Sequence, residues 1–484
     1  MADQALVVGL GVSGDAFVHH WRQRAGTVVV IDDHPTPAVR DRARRLGLDL
    51  VEAPGPAEVA RLVAASDVVV PSPGVAESHP AITAALERGV AVRSELELAS
   101  RWTRRPFVAV TGTNGKTTVT ELVCGMLVAS GRRALAAGNV GLALSDAVRR
   151  DVDVLVVEAS SFQLRFTDTF RPAVAVWLNL APDHLDWHPD VAAYTAAKAR
   201  IWAHQASEDL AVANAEDAVV MEAARAAPGR LQTFGLAPGA DFGVARGPGG
   251  DHLVGPPGEL AAVADLPRSH PQDLANALAA AAAALGAGAT VEGVGEALRS
   301  WPPLPHRRAL VATIDGVGYH DDSKATNPHA TLAAVAGFAS VVLLAGGRNK
   351  GLDLTALAAA APRLRAVVAF GEAGDDLVAA LGEVVPVRRV RDMVEAVALA
   401  RALARPGDDV LLSPACASFD QYGSYAERGE HFSELVRTLA DRAPAARAPA
   451  DRAPADRAPA DRAPEGGPGG PGEAGAGPEG GGQR

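Results

Sequence analysis

Lysine is scarce in this chain, and each lysine lies in a segment whose residue types suggest chemistry. Of the 46 lysine and arginine residues, four are lysines: Lys116, Lys198, Lys324 and Lys350. A lysine amine is compact and becomes a nucleophile when it loses its proton, whereas a guanidinium stays charged. Chance survival would explain one such lysine. Four lysines in four separate motifs indicate functions that need a primary amine.

The segment around Lys116 predicts a phosphate-binding loop. Residues 107–118 form an apolar run that enters Thr-Gly-Thr-Asn-Gly-Lys-Thr-Thr and then a helical pattern. Gly112 and Gly115 let backbone N–H groups approach phosphate oxygens, Lys116 reaches the terminal phosphates, and the Thr117 hydroxyl suits Mg²⁺. A valine replaces the first glycine of the standard pattern, so the loop is a shortened variant. A purely structural loop is the alternative.

Two further apolar strands are followed by polar side chains. The strand predicted at 153–158 ends in Glu158, and the strand at 173–180 precedes Asp183 and His184. Because the carboxyl ends of parallel strands face the ligand crevice, Glu158 is predicted to bind Mg²⁺, with an ordinary capping role as the alternative. Asp183 and His184 are expected to orient a second metal or a water at the edge of the shell.

Lys198 lies in a stretch with helical periodicity, where a solvated surface lysine is the usual interpretation. The rarity of lysine favours a function instead. An uncharged lysine amine can add CO₂ and become a carbamate, an acid on a long arm that can bridge metals. His188 precedes a proline and is predicted to be a turn residue.

The third part of the chain concentrates charges of both signs. Residues 304–308 precede a strand and then Asp-Ser-Lys-Ala-Thr, in which Asp322, Lys324 and Thr326 lie close together. Together with Arg307, these charges suit a nucleotide and a phosphoryl group in transfer, while Thr326 caps a helix or binds a carboxylate.

Two later turns suit anions. The strand predicted at 341–345 enters a glycine turn that presents Lys350, for which a carboxylate or phosphate partner is expected. The strand at 409–412 enters residues 413–425, which are rich in hydroxyls and free backbone N–H groups.

The N-terminal segment matches a dinucleotide-binding fingerprint. Gly-Leu-Gly-Val-Ser-Gly at 9–14 follows a strand, and Asp32 ends the next strand. The same geometry serves any nucleotide diphosphate, so NAD, FAD and UDP-linked ligands all stay open, as does a structural glycine turn. Ser72, after a third strand, is expected to close over the same ligand.

Composition limits the partners and the location. The formal net charge of −11 makes nucleic acid and anionic membranes poor partners and favours small charged ligands. The longest apolar run, at 277–285, is far shorter than the roughly 20 residues that span a bilayer. No signal-peptide pattern is visible at the start, so we expect a cytoplasmic protein and, in addition, a monomer.

Alternating β-branched and alanine- or leucine-rich segments predict an α/β protein with mainly parallel sheets. Composition breaks divide it into residues 1–103, a Rossmann-like domain, residues 104–304, a central phosphate-loop ATPase domain, and residues 305–441, a Rossmann-like α/β domain. An irregular or hairpin insertion is expected at 234–270. Residues 442–484 repeat an Arg-Ala-Pro-Ala-Asp-like unit before a glycine-rich end, and they are predicted to be disordered.

Taken in order, the motifs resemble those of the Mur ligase family. They are Thr-Gly-Thr-Asn-Gly-Lys-Thr-Thr, Gly-Asn-Val-Gly, Glu-Ala-Ser-Ser-Phe-Gln-Leu, Asp-His-Leu-Asp, Leu-Pro-His-Arg, Asp-Asp-Ser-Lys-Ala-Thr-Asn and Leu-Ser-Pro-Ala-Cys-Ala-Ser-Phe-Asp. The resemblance covers residues 1 to about 441 and implies ATP-dependent addition of D-glutamate to UDP-N-acetylmuramoyl-L-alanine through an acyl phosphate, in peptidoglycan precursor synthesis.

The resemblance also implies roles for individual residues. ATP would contact Gly112, Thr113, Asn114, Gly115, Lys116, Thr117, Thr118, Asn276, Arg307 and Asp322. The UDP sugar would contact Val12, Ser13, Asp32, Ser72, Asn139, Ser161 and Gln163. D-Glutamate would contact Thr326, Lys350, Ser418 and Tyr425. The catalytic set would be Lys116, Glu158, His184, Lys198 and Lys324, with two Mg²⁺ sites served by Thr117, Glu158, His184 and a carbamylated Lys198.

One position departs from the family. Relatives show His-Asn where Gln272 and Asp273 stand here, so adenine contacts near Asp273 are in doubt and Asn276 is the safer assignment. Three rival functions stay open: another Mur-type or folylpolyglutamate-type ligase, a non-catalytic nucleotide sensor, and an NAD-dependent oxidoreductase built on the first glycine loop.

Overall fold

A computed structural model describes residues 3–247, 249–302 and 304–442. These residues contain three α/β domains, each built on a mainly parallel sheet, as the sequence predicts. The predicted tail lies outside the described residues apart from its first residue, which ends the last helix. The expected domain boundaries near residues 103 and 304 stay a prediction.

The N-terminal sheet is parallel in the order β3-β2-β1-β4-β5. The central strands β1 and β4 are almost entirely buried, as expected where helices cover both faces of a sheet, whereas β3 at the edge is partly exposed. The strands are β1 (Gln4–Val8), β2 (Thr27–Asp32), β3 (Leu50–Glu52), β4 (Val68–Pro71) and β5 (Ala91–Val92). The helices are α1 (Val12–Gln23), α2 (Pro37–Leu46), α3 (Pro56–Ala64), α4 (Pro80–Arg88) and α5 (Glu95–Ser100). This order reverses between β1 and β4, the switch point at which Rossmann-like sheets bind nucleotides.

The central sheet is also parallel, in the order β11-β10-β9-β6-β8-β7. Its strands are β6 (Phe107–Thr111), β7 (Ala134–Gly138), β8 (Val154–Glu158), β9 (Val174–Trp177), β10 (Leu210–Asn214) and β11 (Arg230–Phe234). Its helices are α6 (Lys116–Ala129), α7 (Leu144–Ala147), α8 (Ser161–Arg165), α9 (Val191–Ala199), α10 (Ala218–Ala224), α11 (Pro271–Gly286) and α12 (Val291–Arg299). β6 lies inside the sheet, so the loop that follows it is flanked by the carboxyl ends of β8 and β9.

The insertion after β11 is a small antiparallel sheet, in agreement with the hairpin alternative. Its strands are β12 (Gly243–Gly247), β13 (Gly250–Gly255) and β14 (Gly258–Ala262), and a short 3-10 helix, Val263–Asp265, follows. Leu253 and Leu260 of this sheet are buried in the same core as α11 and α12. The insertion therefore covers the far side of these helices and leaves the phosphate loop free.

The third sheet has the order β15-β16-β20-β17-β18-β19, in which only the first pair is antiparallel. Its strands are β15 (Ala309–Ile314), β16 (Val317–Asp321), β17 (Val341–Gly346), β18 (Leu364–Phe370), β19 (Val387–Arg389) and β20 (Asp409–Ala415). Its helices are α13 (Pro328–Val335), α14 (Gly374–Leu381), α15 (Met393–Leu403) and α16 (Tyr425–Arg442), with a 3-10 segment at Leu354–Arg363.

Helix α11 is buried on all sides. The eight residues from Ala277 to Ala284 are seven alanines and one leucine, and all have 0% exposure. A helix normally exposes one polar face to water, and a helix that is apolar all round must lie inside the protein. Here small side chains let α6 and strands β9 and β10 approach the helix backbone closely.

Among the described residues, no helix is both long enough and apolar enough to cross a bilayer. This agrees with the absence of a long apolar run in the sequence.

The N-terminal and central domains meet at a buried carboxyl group. Glu95, at the start of α5, is 4% exposed, and its Oε1 accepts hydrogen bonds from the backbone N–H (2.6 Å) and the hydroxyl of Ser145 in α7. Its Oε2 has no hydrogen-bond partner among the described residues. Burial raises the pKa of Glu95 to about 7, and the nearby Asp146 carboxylate acts in the same direction.

We predict that Glu95→Gln makes the stability of the protein less sensitive to a rise in pH through about 7. A carboxyl whose pKa is raised on folding stabilises the fold at low pH, and this contribution is lost as the pH rises through about 7. The amide keeps the acceptor for Ser145 and cannot ionise. From about pH 6 to about pH 8, the Tm of the variant relative to wild type should rise by about 2–4 °C, measured by differential scanning fluorimetry.

Glu97 on the same helix provides a matched control. Burial alone would raise the pKa of Glu97. Hydrogen bonds from the Asp168 backbone, Thr169 and Arg101 nevertheless hold this pKa below its usual value. Glu97→Gln should lower the Tm by the same amount at every pH in this range. A parallel pH response of the two variants would contradict the assignment to Glu95.

Candidate active site

The phosphate loop requires glycine at two positions because of its neighbours. Gly115 has φ of 87°, and a Cβ there would lie 2.7 Å from Asn276 Oδ1 at the start of α11. At Gly112 a Cβ would lie 2.9 Å from Leu178 Cβ. The loop is further braced by Asn179, whose Oδ1 accepts from the Asn114 backbone at 2.9 Å. The predicted glycines therefore let the loop pack between β9 and α11.

Two of the four lysines donate to the same carbonyl oxygen. Lys116 Nζ donates to Gly112 O at 2.9 Å and to Thr113 O at 3.0 Å, and Lys198 Nζ donates to Gly112 O at 2.8 Å. Lys198 is 1% exposed and lies 4.6 Å from the centre of the Tyr194 ring. Burial lowers the pKa of both amines, that of Lys198 well below its usual value. The charge of Lys116 lowers the pKa of Lys198 further, whereas Arg307 and Lys350 lower that of Lys116. The surface-lysine interpretation is excluded.

Glu158, the last residue of β8, points one carboxylate oxygen to Asn139 and leaves the other free. Asn139 Nδ2 donates to Glu158 Oε1 at 2.9 Å, while Oε2 is buried without a hydrogen-bond partner among the described residues. A buried, unpartnered carboxylate oxygen costs free energy unless a cation or a donor binds it. Thr117 lines the same cavity. These oxygens are of the kind that Mg²⁺ prefers.

Asp183 joins the central domain to the third domain. Its Oδ1 accepts from Lys350 Nζ at 3.0 Å, and its Oδ2 accepts from Asn327 Nδ2 at 2.9 Å. Asn114 of the phosphate loop also donates to Asn327 Oδ1 at 3.2 Å. Asp183 was expected to orient a metal or a water, but its oxygens are used for these contacts. The carboxylate partner expected for Lys350 is thus a residue of the protein.

His184 lies beside the cavity in a left-handed backbone conformation, with φ of 56°. Its ring packs edge-on against Phe162, with centroids 4.8 Å apart. Burial lowers the pKa of His184 to about 3, although the Asp183 carboxylate opposes this shift. Burial thus favours the neutral imidazole, in which one ring nitrogen can accept a hydrogen bond.

His188 plays a larger part than the sequence indicated. Its backbone lies in a bend, as predicted, but its side chain is 1% exposed and Nε2 lies 3.0 Å from the Ser161 hydroxyl. The ring stacks on Phe162 at 5.7 Å. His188 thus fixes Ser161 and Phe162, which line the cavity. The preceding residue, Trp187, is a large aromatic and was the one local indication in the sequence that His188 could be buried.

The start of the third domain presents two arginines to the cavity. Arg307 and Arg308 both line it, and Arg308 N donates to Asp322 Oδ1 at 3.2 Å. Asp322 Oδ2 accepts from the Ser413 hydroxyl at 2.8 Å, and burial raises the pKa of Asp322 to about 7. Burial lowers the pKa of Arg307, against the pull of Glu158 and Asp322.

Lys324 lies over an aromatic ring instead of a carboxylate. Its Nζ is 3.6 Å from the centre of the Tyr425 ring, a cation–π geometry. Burial lowers the pKa of Lys324 to about 8, and the positive charge of Arg307 lowers it further. Thr326 lines the same cavity, whereas Ser418 is buried, with 2% exposure, at the end of β20.

Most of the predicted ATP, metal and catalytic residues surround one cavity of about 280 Å³. The predicted residues that line it are Thr113, Asn114, Gly115, Lys116, Thr117, Thr118, Asn139, Glu158, Ser161, His184, Lys198, Asn276, Arg307, Asp322, Lys324 and Thr326. Gly112 contributes its carbonyl oxygen to the lysines from behind the loop. Lys350 reaches the cavity wall through Asp183.

The remaining predicted sugar contacts lie in or near the N-terminal domain. Val12 is 64% exposed in the first turn of α1, next to Ser13. Asp32 accepts from the Leu10 backbone at 3.4 Å, and the Ser72 hydroxyl donates to Gly9 O at 2.7 Å. Ser72 thus fixes the glycine loop from β4, so a ligand there would meet a preformed turn.

Gln163 lies between the N-terminal and central domains, outside the main cavity. It shares a small cavity with Ser72, and its Oε1 accepts from the Ser160 backbone at 3.0 Å in a capping box. Its Nε2 is buried without a hydrogen-bond partner among the described residues. Gln163 therefore has one donor group available at the boundary between the two domains.

Asp273 lines the cavity and lies between two arginine side chains. The sequence did not predict this pairing. Its Oδ1 lies 2.6 Å from Arg308 Nη2 and 3.3 Å from Arg268 Nη2. The carboxylate is 2% exposed. The predicted departure from the family at this position thus corresponds to two charged contacts that an asparagine would not satisfy.

Chemically, the cavity suits a polyphosphate. Lys116, Lys324 and Arg307 face the cavity from two domains. Their positive charges favour a bound anion over water. Among the described residues, no group of three acidic, histidine or cysteine side chains forms a metal site by itself. A cation at Glu158 would therefore share its shell with phosphate oxygens or water, which is how Mg²⁺ usually binds.

Three family models match the chain and follow the three domains. The Mur ligase MurD-like N-terminal domain matches residues 3–94, the Mur ligase middle domain residues 110–284, and the Mur ligase glutamate ligase domain residues 306–416.

Close relatives and one solved structure agree with these matches. The chain is 46% identical over 445 residues to the UDP-N-acetylmuramoylalanine–D-glutamate ligase of Frankia casuarinae, covering 89% of this chain and 93% of the relative. It is 43% identical over 461 residues to the protein of the same name in Thermobifida fusca, covering 90% and 98%. The MurF structure from Acinetobacter baumannii has a TM-score of 0.57 and 18% identity over 91% of each chain, which supports the fold alone.

Proposed function

Because this chain belongs to the Mur ligase family, we propose that the cavity between its phosphate loop and its third domain is the site of phosphoryl transfer. The reaction is the ATP-dependent addition of D-glutamate to UDP-N-acetylmuramoyl-L-alanine, a step of peptidoglycan synthesis. The observation that carries the assignment is the convergence of Lys116, Glu158, Arg307 and Lys324 on one cavity.

The first step is phosphorylation of the alanine carboxylate. A carboxylate oxygen attacks the γ-phosphorus of ATP, the bond to the β-phosphate oxygen breaks, and ADP leaves. Lys116 and Arg307 hold the phosphate oxygens from opposite sides of the cavity, and Lys324 neutralises charge that develops during transfer. The second step is attack of the D-glutamate amine on the acyl carbon, which forms the amide and expels phosphate.

The donor set fits Mg²⁺ at one position. Glu158 Oε2 is buried and free, and the Thr117 hydroxyl lies in the same cavity. We propose that these two groups hold the cation together with phosphate oxygens, where it would neutralise phosphate charge. A second Mg²⁺ would need His184 and a modified Lys198.

Lys198 is suited to carbamylation. Burial lowers the pKa of its amine and so favours the neutral form, which is the form that reacts with CO₂. The nitrogen of the neutral amine attacks the carbon of CO₂, an N–C bond forms, and one proton is lost from the nitrogen, so an anionic carbamate replaces the buried amine. This exchange would remove the repulsion between Lys198 and Lys116 and would supply oxygen ligands.

We propose that D-glutamate binds at the third-domain side of the cavity. Thr326, Ser418 and Tyr425 provide hydroxyls, and Lys350 provides a cation that is now paired with Asp183. A substrate carboxylate would take over this ammonium group, since both anions suit the same donor. The UDP sugar is assigned to the N-terminal domain, at Val12, Ser13, Asp32 and Ser72, with its muramoyl end toward Asn139, Ser161 and Gln163.

The central and third domains of one polypeptide bring the phosphate loop, Glu158, Arg307 and Lys324 to the same cavity. We therefore propose that the enzyme works as a monomer. ATP and UDP-linked sugars are cytoplasmic metabolites, which supports a cytoplasmic location.

We predict strict stereochemical dependence of phosphate release. With ATP, Mg²⁺ and UDP-N-acetylmuramoyl-L-alanine, release with D-glutamate should exceed release with L-glutamate by at least about 100-fold, because the wrong stereocentre leaves a carboxylate or its partner unpaired. The measurement is a continuous phosphate assay. Equal rates with the two enantiomers, or a preference for another amino acid, would favour a different ligase of the family, and ATP binding without any release would favour a nucleotide sensor.

Lys116→Ala should reduce this phosphate release by at least about 100-fold, because a donor to the transferring phosphoryl group is lost. The matched control is Arg133→Ala, which removes an exposed cation paired with Asp151 and Asp153 far from the cavity. The control should keep wild-type release. Full release by Lys116→Ala would show that the loop does not bind the transferred phosphate.

Lys198→Ala should lower kcat by at least about 100-fold while changing KM values much less, since the amine sits behind the loop. A short carboxylic acid such as acetate should restore part of the activity, whereas Lys198→Arg should stay inactive because a guanidinium fills the space with charge. Wild-type enzyme in ¹³C-bicarbonate should show a carbamate carbon signal by NMR that both variants lack. Undiminished activity of Lys198→Ala, or no such signal in wild type, would contradict carbamylation.

A further inference from the structure

The segment that carries Arg307 is held in an unusual backbone conformation. His306 has φ of 59° and Arg308 has φ of 51°, so both residues that flank Arg307 lie in the left-handed region. Such conformations cost of order 1 kcal/mol or more for residues other than glycine and persist only where surrounding contacts enforce them. The contacts around residues 306–308 therefore decide where the Arg307 side chain points.

These contacts come from two domains. Within the third domain, His306 Nδ1 lies 2.7 Å from Asp321 Oδ2, and Arg308 N donates to Asp322 Oδ1 at 3.2 Å. From the central domain, Arg268 Nη2 donates to the carbonyl oxygen of Arg307 at 3.1 Å. The backbone of the segment is thus fixed on both sides.

Asp273 of the central domain binds both Arg268 and Arg308. Its Oδ1 lies between Arg308 Nη2, at 2.6 Å, and Arg268 Nη2, at 3.3 Å, and the three side chains are 3%, 8% and 12% exposed. Removing the carboxylate would leave two buried guanidinium groups facing each other without a counter-charge. Since Arg268 also holds the Arg307 carbonyl, the carboxylate acts on the segment through both arginines.

We propose that Asp273 is a positioning residue for ATP: through Arg268 and Arg308 it holds the segment 306–308 so that the Arg307 side chain faces the phosphate-loop cavity. This inference rests on the proposed role of Arg307 in contacting ATP.

The test compares Asp273→Asn with wild type by steady-state kinetics. The variant keeps the shape of the side chain and loses its charge. The KM for ATP should rise about tenfold, while the KM for D-glutamate should stay within about twofold of wild type, because only the nucleotide side of the cavity depends on Arg307. An unchanged KM for ATP would overturn the proposal.

A second variant separates positioning from stability. Asp273→Asn should also lower the Tm, because two buried charges lose their partner. In Asp273→Asn with Arg308→Gln one of these charges is gone, so the Tm should recover at least in part, while the KM for ATP should stay raised because the contact between Asp273 and Arg308 is still missing. A KM for ATP that returns to the wild-type value together with the Tm would show that the role is structural only.

Arg307→Gln distinguishes failure of this proposal from failure of the proposed function. If Arg307 contacts ATP, Arg307→Gln should itself raise the KM for ATP, and adding Asp273→Asn should change it by less than about twofold, since both act through one contact. An Arg307→Gln variant with normal kinetics would overturn the role of Arg307 itself. A normal Asp273→Asn beside an impaired Arg307→Gln would overturn only the positioning role, and so would full additivity of the two changes.

The chain offers a matched control for the loss of a buried carboxylate. Asp408 is 4% exposed and is held by Arg365, whose Nη2 donates to Oδ1 at 2.8 Å, at the amino edge of the third sheet. Asp408→Asn should lower the Tm and leave the KM for ATP unchanged. A raised KM for ATP in this control would show that lost stability alone accounts for the effect at Asp273.

Discussion

Two buried lysine amines that donate to one carbonyl oxygen set the electrostatic requirement of this protein. Lys116 and Lys198 both bind Gly112 O, and among the described residues neither has a carboxylate within ion-pair distance. Burial of two such charges is costly unless an anion arrives or one amine gives up its proton. The surrounding fold supplies both solutions: an open cavity on the side of Lys116, and a closed, aromatic environment around Lys198.

Sequence patterns predicted the parts of the site that depend on neighbours along the chain. The phosphate loop, the strand that ends in Glu158 and the helix of Lys198 each follow from local residue types, because strand ends and helix starts fix where short segments place their side chains. The pairing of Asp183 with Lys350, the arginine pair at Asp273 and the burial of His188 could not be predicted this way. Each depends on residues from segments far apart in the sequence. A periodic pattern within one segment does not predict which distant segment packs against it.

The contact between Asp183 and the third domain has a direct bearing on substrate binding. Its carboxylate holds Lys350 and Asn327, both in segments that carry proposed D-glutamate contacts. A substrate carboxylate that takes Lys350 must compete with Asp183, so the affinity for the amino acid includes the cost of breaking a contact between domains. Occupation of the D-glutamate site and the relative position of the two domains are therefore thermodynamically linked.

The buried run of alanines in the middle of α11 also restricts which substitutions the protein can tolerate. Residues 279–284 have no exposed surface, and each added methylene must displace either the helix or the strands packed on it. The same helix carries Asp273 and Asn276 at its first turns, within the cavity wall. A bulkier side chain at these positions would displace the helix and, with it, these two groups in the cavity wall. Replacing any residue of 279–284 by one larger than alanine is therefore expected to disturb the cavity, although none of these positions lines it.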